Sequence, residues 1–474
     1  MRRFMPGPSS AAWVAAETVA AAFFALVGLL FIARLIGPQA AGTGAIAASA
    51  FLIIDFPIAA LFGDSLLQRR QLEEHHRSSA FWVTMGVALC GIAVLALAAP
   101  WIAAAVGSPM LTDMIRTLAL LLPLSAVSGM LAALALRARR YRLLSLRVLI
   151  CQPLSVAAGV AAAMSGWGAW AMVAQQAAAT LSVFVLLALL SGWRPRWLLD
   201  RAALAELWPV AGPQILALLV FNGRYRIFIL ALGMMVAEAV VAVAHIAFRL
   251  LDVAMGVVTG AASRLAMPRL SALQQDRAAL AEAYGDLAQL QAMIGLPIAA
   301  GLAITAPQLV TLLMGGPWIA AAEPARLVAL AAIPAFLIGP APALWLALGR
   351  TRVNLLVQVI AFCVPLVALL VVRPVDAAGA AMCWVVGSLA VPPVQLALSL
   401  RALRRSVSWL AARLLAPVAG TAGMAVVALL VARHATAHPP LIALALIGLS
   451  GAVAYLAILA LLLGGRMPRA LREA

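Results

Sequence analysis

Apolar residues in this chain come in successive blocks of about 20–28, each long enough for a helix to cross a hydrocarbon core about 30 Å thick. The 65% hydrophobic and 10% charged content, with a mean hydropathy of +1.07, confirms that the blocks dominate the chain. A soluble globular domain is about 45–50% apolar and about 25% charged. The arrangement dictates an all-α polytopic membrane protein. It excludes a water-soluble enzyme, a disulfide-rich secreted domain and a disordered scaffold.

Fourteen spans are expected, near 11–35, 41–66, 80–106, 112–136, 143–165, 168–191, 207–232, 236–265, 286–314, 325–348, 352–372, 376–400, 409–432 and 440–464. The number falls to twelve or thirteen if a segment lies in the interface. Breaks coincide with turn chemistry at Gly37-Pro38, Gly107-Ser108-Pro109, Gly315-Gly316-Pro317 and His438-Pro439-Pro440. The first run follows Arg2 and Arg3 but is too long for a signal-peptide core and carries Glu17, so it is expected as a retained first helix. The longest connection, roughly 266–285, is expected to hold an amphipathic cytoplasmic helix.

A formal charge of +17 would point to nucleic acid in a soluble protein, but no basic stripe or aromatic platform accompanies it here. All 33 basic residues are arginine. Twenty-five of them fall on one side of the alternating spans, in the terminal segments and the even-numbered connections. The other side holds Arg34, Arg116, Arg326, Arg373 and Arg433. That asymmetry predicts both termini on the cytoplasmic side. The remaining three, Arg224, Arg226 and Arg249, lie inside spans. Cys90, Cys151, Cys363 and Cys383 all fall in apolar runs without metal-ligand spacing, and are expected as buried free thiols.

The stretch 135–154 matches 347–366 at eight of twenty positions with a shift of 212, pairing Arg140 with Arg352, Cys151 with Cys363 and Pro153 with Pro365. Pro-Trp-Ile-Ala-Ala-Ala occurs at 100–105 and again at 317–322. Together they predict two six-helix units of the same orientation, 1–205 and 206–405, with residues 406–474 as an appended helix pair and tail. Internal repeats flanking a substrate path are a common build for secondary transporters.

Several stretches in order resemble the polysaccharide transporter (oligosaccharide flippase) branch of the multidrug/oligosaccharidyl-lipid/polysaccharide exporter superfamily. They are Ala33-Arg34-Leu35-Ile36-Gly37-Pro38, Gly63-Asp64-Ser65-Leu66-Leu67-Gln68-Arg69 with Ala80-Phe81-Trp82, and Gly166-Trp167-Gly168-Ala169-Trp170. In the second half come Asn222-Gly223-Arg224, Ala247-Phe248-Arg249-Leu250-Leu251-Asp252, Met267-Pro268-Arg269 and Gly315-Gly316-Pro317-Trp318. The resemblance implies the two-bundle multidrug-exporter fold. It also implies a flippase for undecaprenyl-diphosphate-linked oligosaccharide in the bacterial inner membrane. Arg226 stands where relatives often carry an acid, so no coupling role is carried over to that position.

An ionised side chain at the bilayer centre costs about 2.5–3.5 kcal/mol or more, so each intramembrane charge needs a partner or an aqueous path. His245, Arg249 and Asp252 are spaced i, i+4, i+7 on one helical face. They form either an ion pair with a satisfied neighbour or a polar stripe in which Arg249 meets the diphosphate and Asp252 or His245 exchanges a proton. Arginine suits a diphosphate because its planar fork bonds two oxygens at once. Arg224 and Arg226 are two residues apart and point to opposite sides of their helix. The resemblance favours Arg224 as the substrate-facing member. Asp55, beside Pro57, and Glu17 are the first candidates for proton coupling, or else neutral carboxyls bonded to a neighbouring helix. Gln175 and Gln176 serve either sugar hydroxyls or helix-to-helix bonding.

No phosphate loop, nucleotide motif or Ser/His/Asp set is present, so neither an enzyme nor a cofactor or metal site is expected. The leading expectation is a monomeric flippase working beside a polysaccharide polymerase and a chain-length regulator. The alternatives are a cation-coupled drug or metabolite exporter of the same fold and, behind it, a membrane polymerase or ligase. The short connections argue against the last.

Overall fold

The computed structural model describes residues 8–435 and 438–464, and they are helical with no strand among them. Two compact units, Met1–Ala242 and Val243–Ala474, make up the chain.

The first unit begins with α1 (Pro8–Ala59), 52 residues that are two helices joined at Gly37, whose φ of 80° and ψ of 169° break the ladder. Pro38 adds a missing N–H at the same place. The chain doubles back there. Ile32 packs with Ala171 while Gly28 faces Gln175; past the break, Gly44 faces Met172 and Asp55 lies beside Gln176 and Thr180. Both segments of α1 therefore climb the same neighbouring helix in opposite senses. There follow α2 (Gly63–Gln68), α3 (Glu74–Val106), α4 (Met110–Ala119), α5 (Leu122–Arg137), α6 (Tyr141–Met164), α7 (Trp170–Leu190) and α8 (Arg201–Gly233). Gly107 ends α3 in the left-handed conformation (φ 78°) that glycine adopts without steric cost.

After α9 (Glu238–Ala272), which crosses the unit boundary, the second unit holds α10 (Arg277–Met314), α11 (Ala322–Ile338) and α12 (Ala341–Ala347). It closes with α13 (Thr351–Val372), α14 (Ala377–Leu403), α15 (Val407–Ala435) and α16 (Pro440–Leu462). A turn of 3-10 helix, Gly316–Ala321, leads into α11. Among the described residues twelve runs are long and apolar enough to cross a membrane. They count Phe23–Gln68 as one run and leave out the 35-residue α9. Dividing α1 at Gly37 and adding α9 matches the fourteen expected spans one for one.

Two expectations change. The connection after the eighth span shrinks to 273–276, because the segment from Arg277 belongs to the 38-residue α10, capped by Asp276 accepting from the N–H groups of Ala278 and Ala279. Only Cys151 and Cys383 are buried; Cys90 and Cys363 lie on outward faces. An outward face toward hydrocarbon imposes no penalty on an apolar thiol, so an apolar run does not imply burial in protein.

The arginine-rich ends come together within each unit. Arg137 at the end of α5 donates to the carbonyls of Leu66 and Arg69, both at 2.6 Å, and so caps the carbonyl end of α2. Arg140 reaches the carbonyl of Ser191, and Arg69 pairs with Glu206 on α8. In the second unit the end of α9, the start of α10, the end of α12 and the end of α14 share one apolar cluster around Tyr284. Above it Arg413 pairs with Glu282 and Asp286 (2.9 Å), with Arg405 also on Glu282 at 3.1 Å.

Two corners, one in each unit, carry the same left-handed helix ending. Between α5 and α6 the N–H groups of Ala138, Arg139, Arg140 and Leu143 bond to the carbonyls of Leu134, Leu136, Ala135 and Arg140. Between α12 and α13 those of Leu348, Gly349, Arg350 and Val353 bond to Leu344, Leu346, Trp345 and Arg350. Arg139 and Gly349 are the left-handed residues, at φ 54° and 67°. The α6–α7 corner has the same bonds at Ser165, Gly166, Trp167 and Trp170, so the pattern is a common helix ending.

Candidate functional site

Four helices of the first unit enclose a cavity of about 340 Å³. The second segment of α1 contributes Asp55 and Ala59, α5 contributes Ser125, Ser128 and Gly129, α6 contributes Arg147, Cys151 and Gln152, and α7 contributes Gln176 and Thr180. On each helix the polar positions and their small neighbours fall one, three, four or five residues apart, so each presents one side of an otherwise apolar run to the cavity. The wall between α1 and α5 is thin because Gly129 lets the backbones meet: a Cβ there would lie 2.0 Å from the Ala59 carbonyl oxygen.

Asp55 is buried at 7% exposure, and its Oδ1 has no hydrogen-bond partner among the described residues. Gln176 donates to the Thr180 hydroxyl at 3.4 Å, a weak bond. A guanidinium, a carboxylate, two amides and three hydroxyls thus line one cavity. Guanidinium forks match phosphate oxygens, and amides and hydroxyls both donate to and accept from polyols. Among the described residues no three His, Cys, Asp or Glu side chains gather as a metal site.

The structure brings Asp55 and Gln176 together and separates Gln176 from its neighbour. Gln175 fills the slot between α1 and α6 left by two glycines: a Cβ at Gly28 would lie 2.9 Å from its Nε2, and one at Gly159 would lie 2.8 Å from its Cβ. The side chain of Glu17 lies outside the described residues. Arg147, which the sequence assigns to the basic connection after the fourth span, stands inside α6 facing the cavity. Its signal was the seven-residue step from Arg140, nearly two helical turns. Ser125, Ser128, Gln152 and Thr180 were missed because short polar residues in an apolar run are unremarkable until neighbours converge.

Arg224 and Arg226 are half-buried on the continuous α8, which keeps them on opposite faces, and Arg226 stands 5.5 Å from the Tyr225 ring centroid. In the second unit His245 is buried on α9, beside Phe248, whose ring packs 5.3 Å from that of Trp384. Arg249 and Asp252 form an ion pair at 3.8 Å, with side chains 34% and 51% exposed. Burial therefore falls along the expected stripe from His245 to Asp252.

A larger cavity of about 490 Å³ lies between α10, α11 and α15. Its lining is apolar apart from Thr421 and the Glu323–Arg326 pair (3.8 Å), so it offers little to a sugar.

The profile of a family described as polysaccharide biosynthesis protein matches residues 31–323. The succinoglycan biosynthesis transport protein ExoT of Rhizobium meliloti (strain 1021) is 23% identical over 295 residues, 60% of this chain and 58% of that protein. The teichuronic acid biosynthesis protein TuaB of Bacillus subtilis (strain 168) is 20% identical over 291 residues, 61% of this chain and 60% of that protein. The chain thus spans about three fifths of the length of these curated relatives. Among solved structures, the lipid II flippase MurJ in an inward closed conformation overlays with a TM-score of 0.72 at 11% identity, covering 95% of this chain and 99% of that one. An inward-facing multidrug resistance MATE family transporter gives 0.67 at 13% identity, covering 82% and 96%. At such identities the likeness is one of fold.

Proposed function

Because this chain belongs to the polysaccharide biosynthesis protein family, we propose that it is a flippase for lipid-linked sugar. Its substrate is undecaprenyl-diphosphate-linked oligosaccharide, carried across the bacterial inner membrane by alternating access for exopolysaccharide, capsule or O-antigen assembly. The observation that carries the reading is the cavity in which Arg147, Asp55, Gln152 and Gln176 converge inside apolar helices. A hydrocarbon-embedded cavity with that lining suits a hydroxyl-rich ligand bearing a phosphate.

In this reading Arg249 and Arg224 are the first candidates to meet the diphosphate, Arg226 ranks after them, and Gln175 is secondary to Gln176 for sugar hydroxyls. Asp55 and Glu17 carry a coupling proton ahead of Asp252 and His245. Both termini are cytoplasmic, and a polysaccharide polymerase and chain-length regulator take up the product. Uptake of a lipid-linked sugar into inverted vesicles under an imposed pH gradient tests it. Arg147→Gln and Arg249→Ala are expected to lower the rate at near wild-type abundance, and Asp55→Asn to remove its dependence on the gradient. Wild-type rates in all three variants would overturn the assignment.

A cation-coupled exporter of the same fold is the second reading, supported by the buried carboxylate of Asp55 with one unbonded oxygen. It predicts transport of a small cationic drug and none of a sugar lipid.

A further inference from the structure

Residues 191–200, Ser-Gly-Trp-Arg-Pro-Arg-Trp-Leu-Leu-Asp, join α7 to α8 without helix, yet they are pinned along their whole length. Arg140 donates to the Ser191 carbonyl at 3.2 Å, and the Trp193 indole N–H donates to Glu74 at 3.0 Å. The Arg196 N–H donates to the Ser78 hydroxyl at 3.1 Å, while its carbonyl accepts from the Trp82 indole at 2.8 Å. Lastly the Asp200 N–H donates to the Ser79 hydroxyl at 2.8 Å. The strap spends its backbone on the first turns of α3, and this turns its remaining side chains outward.

What it presents is amphipathic. Trp197 is 86% exposed and stacks on Trp82 at 4.0 Å, and Leu199 is 65% exposed. Arg194, Arg196 and Arg201 are exposed beside them. The acids nearby are engaged elsewhere: Glu74 with Trp193, Ser78 and Arg77, Glu206 with Arg69 and His76, and Asp200 with the Ala202 N–H. A rigid loop showing tryptophan and leucine to water would be unfavourable. At the headgroup level indole rings are at home, and arginine meets lipid phosphate.

We propose that the 191–200 strap is a docking site for anionic phospholipid headgroups at the arginine-rich membrane face. Trp197, Leu198 and Leu199 enter the interface, and Arg194 and Arg196 take the phosphates. An arginine near an anionic surface strengthens association about fivefold, so the two together give about twenty-five-fold.

The test uses the full chain in nanodiscs of phosphatidylcholine, alone or with one lipid in three replaced by phosphatidylglycerol. Retained lipid is read by native mass spectrometry. The Trp197 emission, taken as wild type minus Trp197→Phe, is read against lipids brominated near the headgroup and against aqueous iodide. Expected are quenching by brominated lipid and preferential retention of phosphatidylglycerol, lost about twenty-five-fold in Arg194→Gln/Arg196→Gln. The control Arg116→Gln, an exposed arginine on α4, should retain lipid as the wild type does. Quenching by iodide alone would place the strap in water and overturn the proposal. Lipid quenching with unchanged phosphatidylglycerol retention in the double variant would overturn the headgroup assignment.

Discussion

Gly129→Ala adds one carbon at the closest approach of α1 and α5. The new Cβ would stand 2.0 Å from the Ala59 oxygen, 2.7 Å from its carbonyl carbon and 3.0 Å from its Cα. All three are backbone atoms, so no side chain can swing aside, and the two helices must part by about 1 Å. Overpacking of this kind costs typically 1–3 kcal/mol, and a backbone-to-backbone clash belongs at the upper end. Alanine returns about 1 kcal/mol through helix propensity. The net loss is about 2 kcal/mol, and it falls on a wall of the polar cavity, since Ala59 and Gly129 both line it. Gly86→Ala on α3 is the matched control, because a Cβ there meets nothing within 4 Å. Purified variants would be melted while following intrinsic tryptophan emission, and polymer output measured in cells. Gly129→Ala should melt below wild type with reduced output, and Gly86→Ala at or above wild type with output unchanged. If Gly129→Ala melts as high as Gly86→Ala, the close packing of α1 on α5 is wrong and so is the cavity wall built from it.

Arg413→Ala should destabilise the second unit by about 2–4 kcal/mol, because it strips one partner from Glu282 and from Asp286, the latter 9% exposed. Adding Asp286→Asn should restore part of that loss, which a double-mutant cycle on thermal melting would reveal. Arg249→Ala should leave protein abundance near wild type, since an ion pair this exposed and this long is worth at most about 1 kcal/mol; a sharp drop on a membrane immunoblot would make the pair structural. Reporters fused after the last residue and at Val375, which is 88% exposed between α13 and α14, should read opposite sides of the membrane. The same side for both would break the fourteen-span order.

The membrane-spanning helices, their order and the clustering of arginines in alternate connections are legible from the residues in chain order. Each depends on length, hydropathy and charge, which are local quantities that burial in lipid reads directly. Gly37-Pro38 marked the first reversal for the same reason: a left-handed φ and a missing N–H are properties of those two residues alone. Tertiary structure alone decided that Arg147 faces Asp55's cavity rather than the basic connection, and that Gln176 lines the cavity while Gln175 packs between helices. In a helix whose every face is apolar, hydrophobic periodicity does not say which face meets lipid and which meets protein. That choice is made by close approaches: at Gly129 the absence of a Cβ lets two backbones touch, and at Gly28 and Gly159 it leaves room for side chains such as Gln175, which aims the remaining side chains.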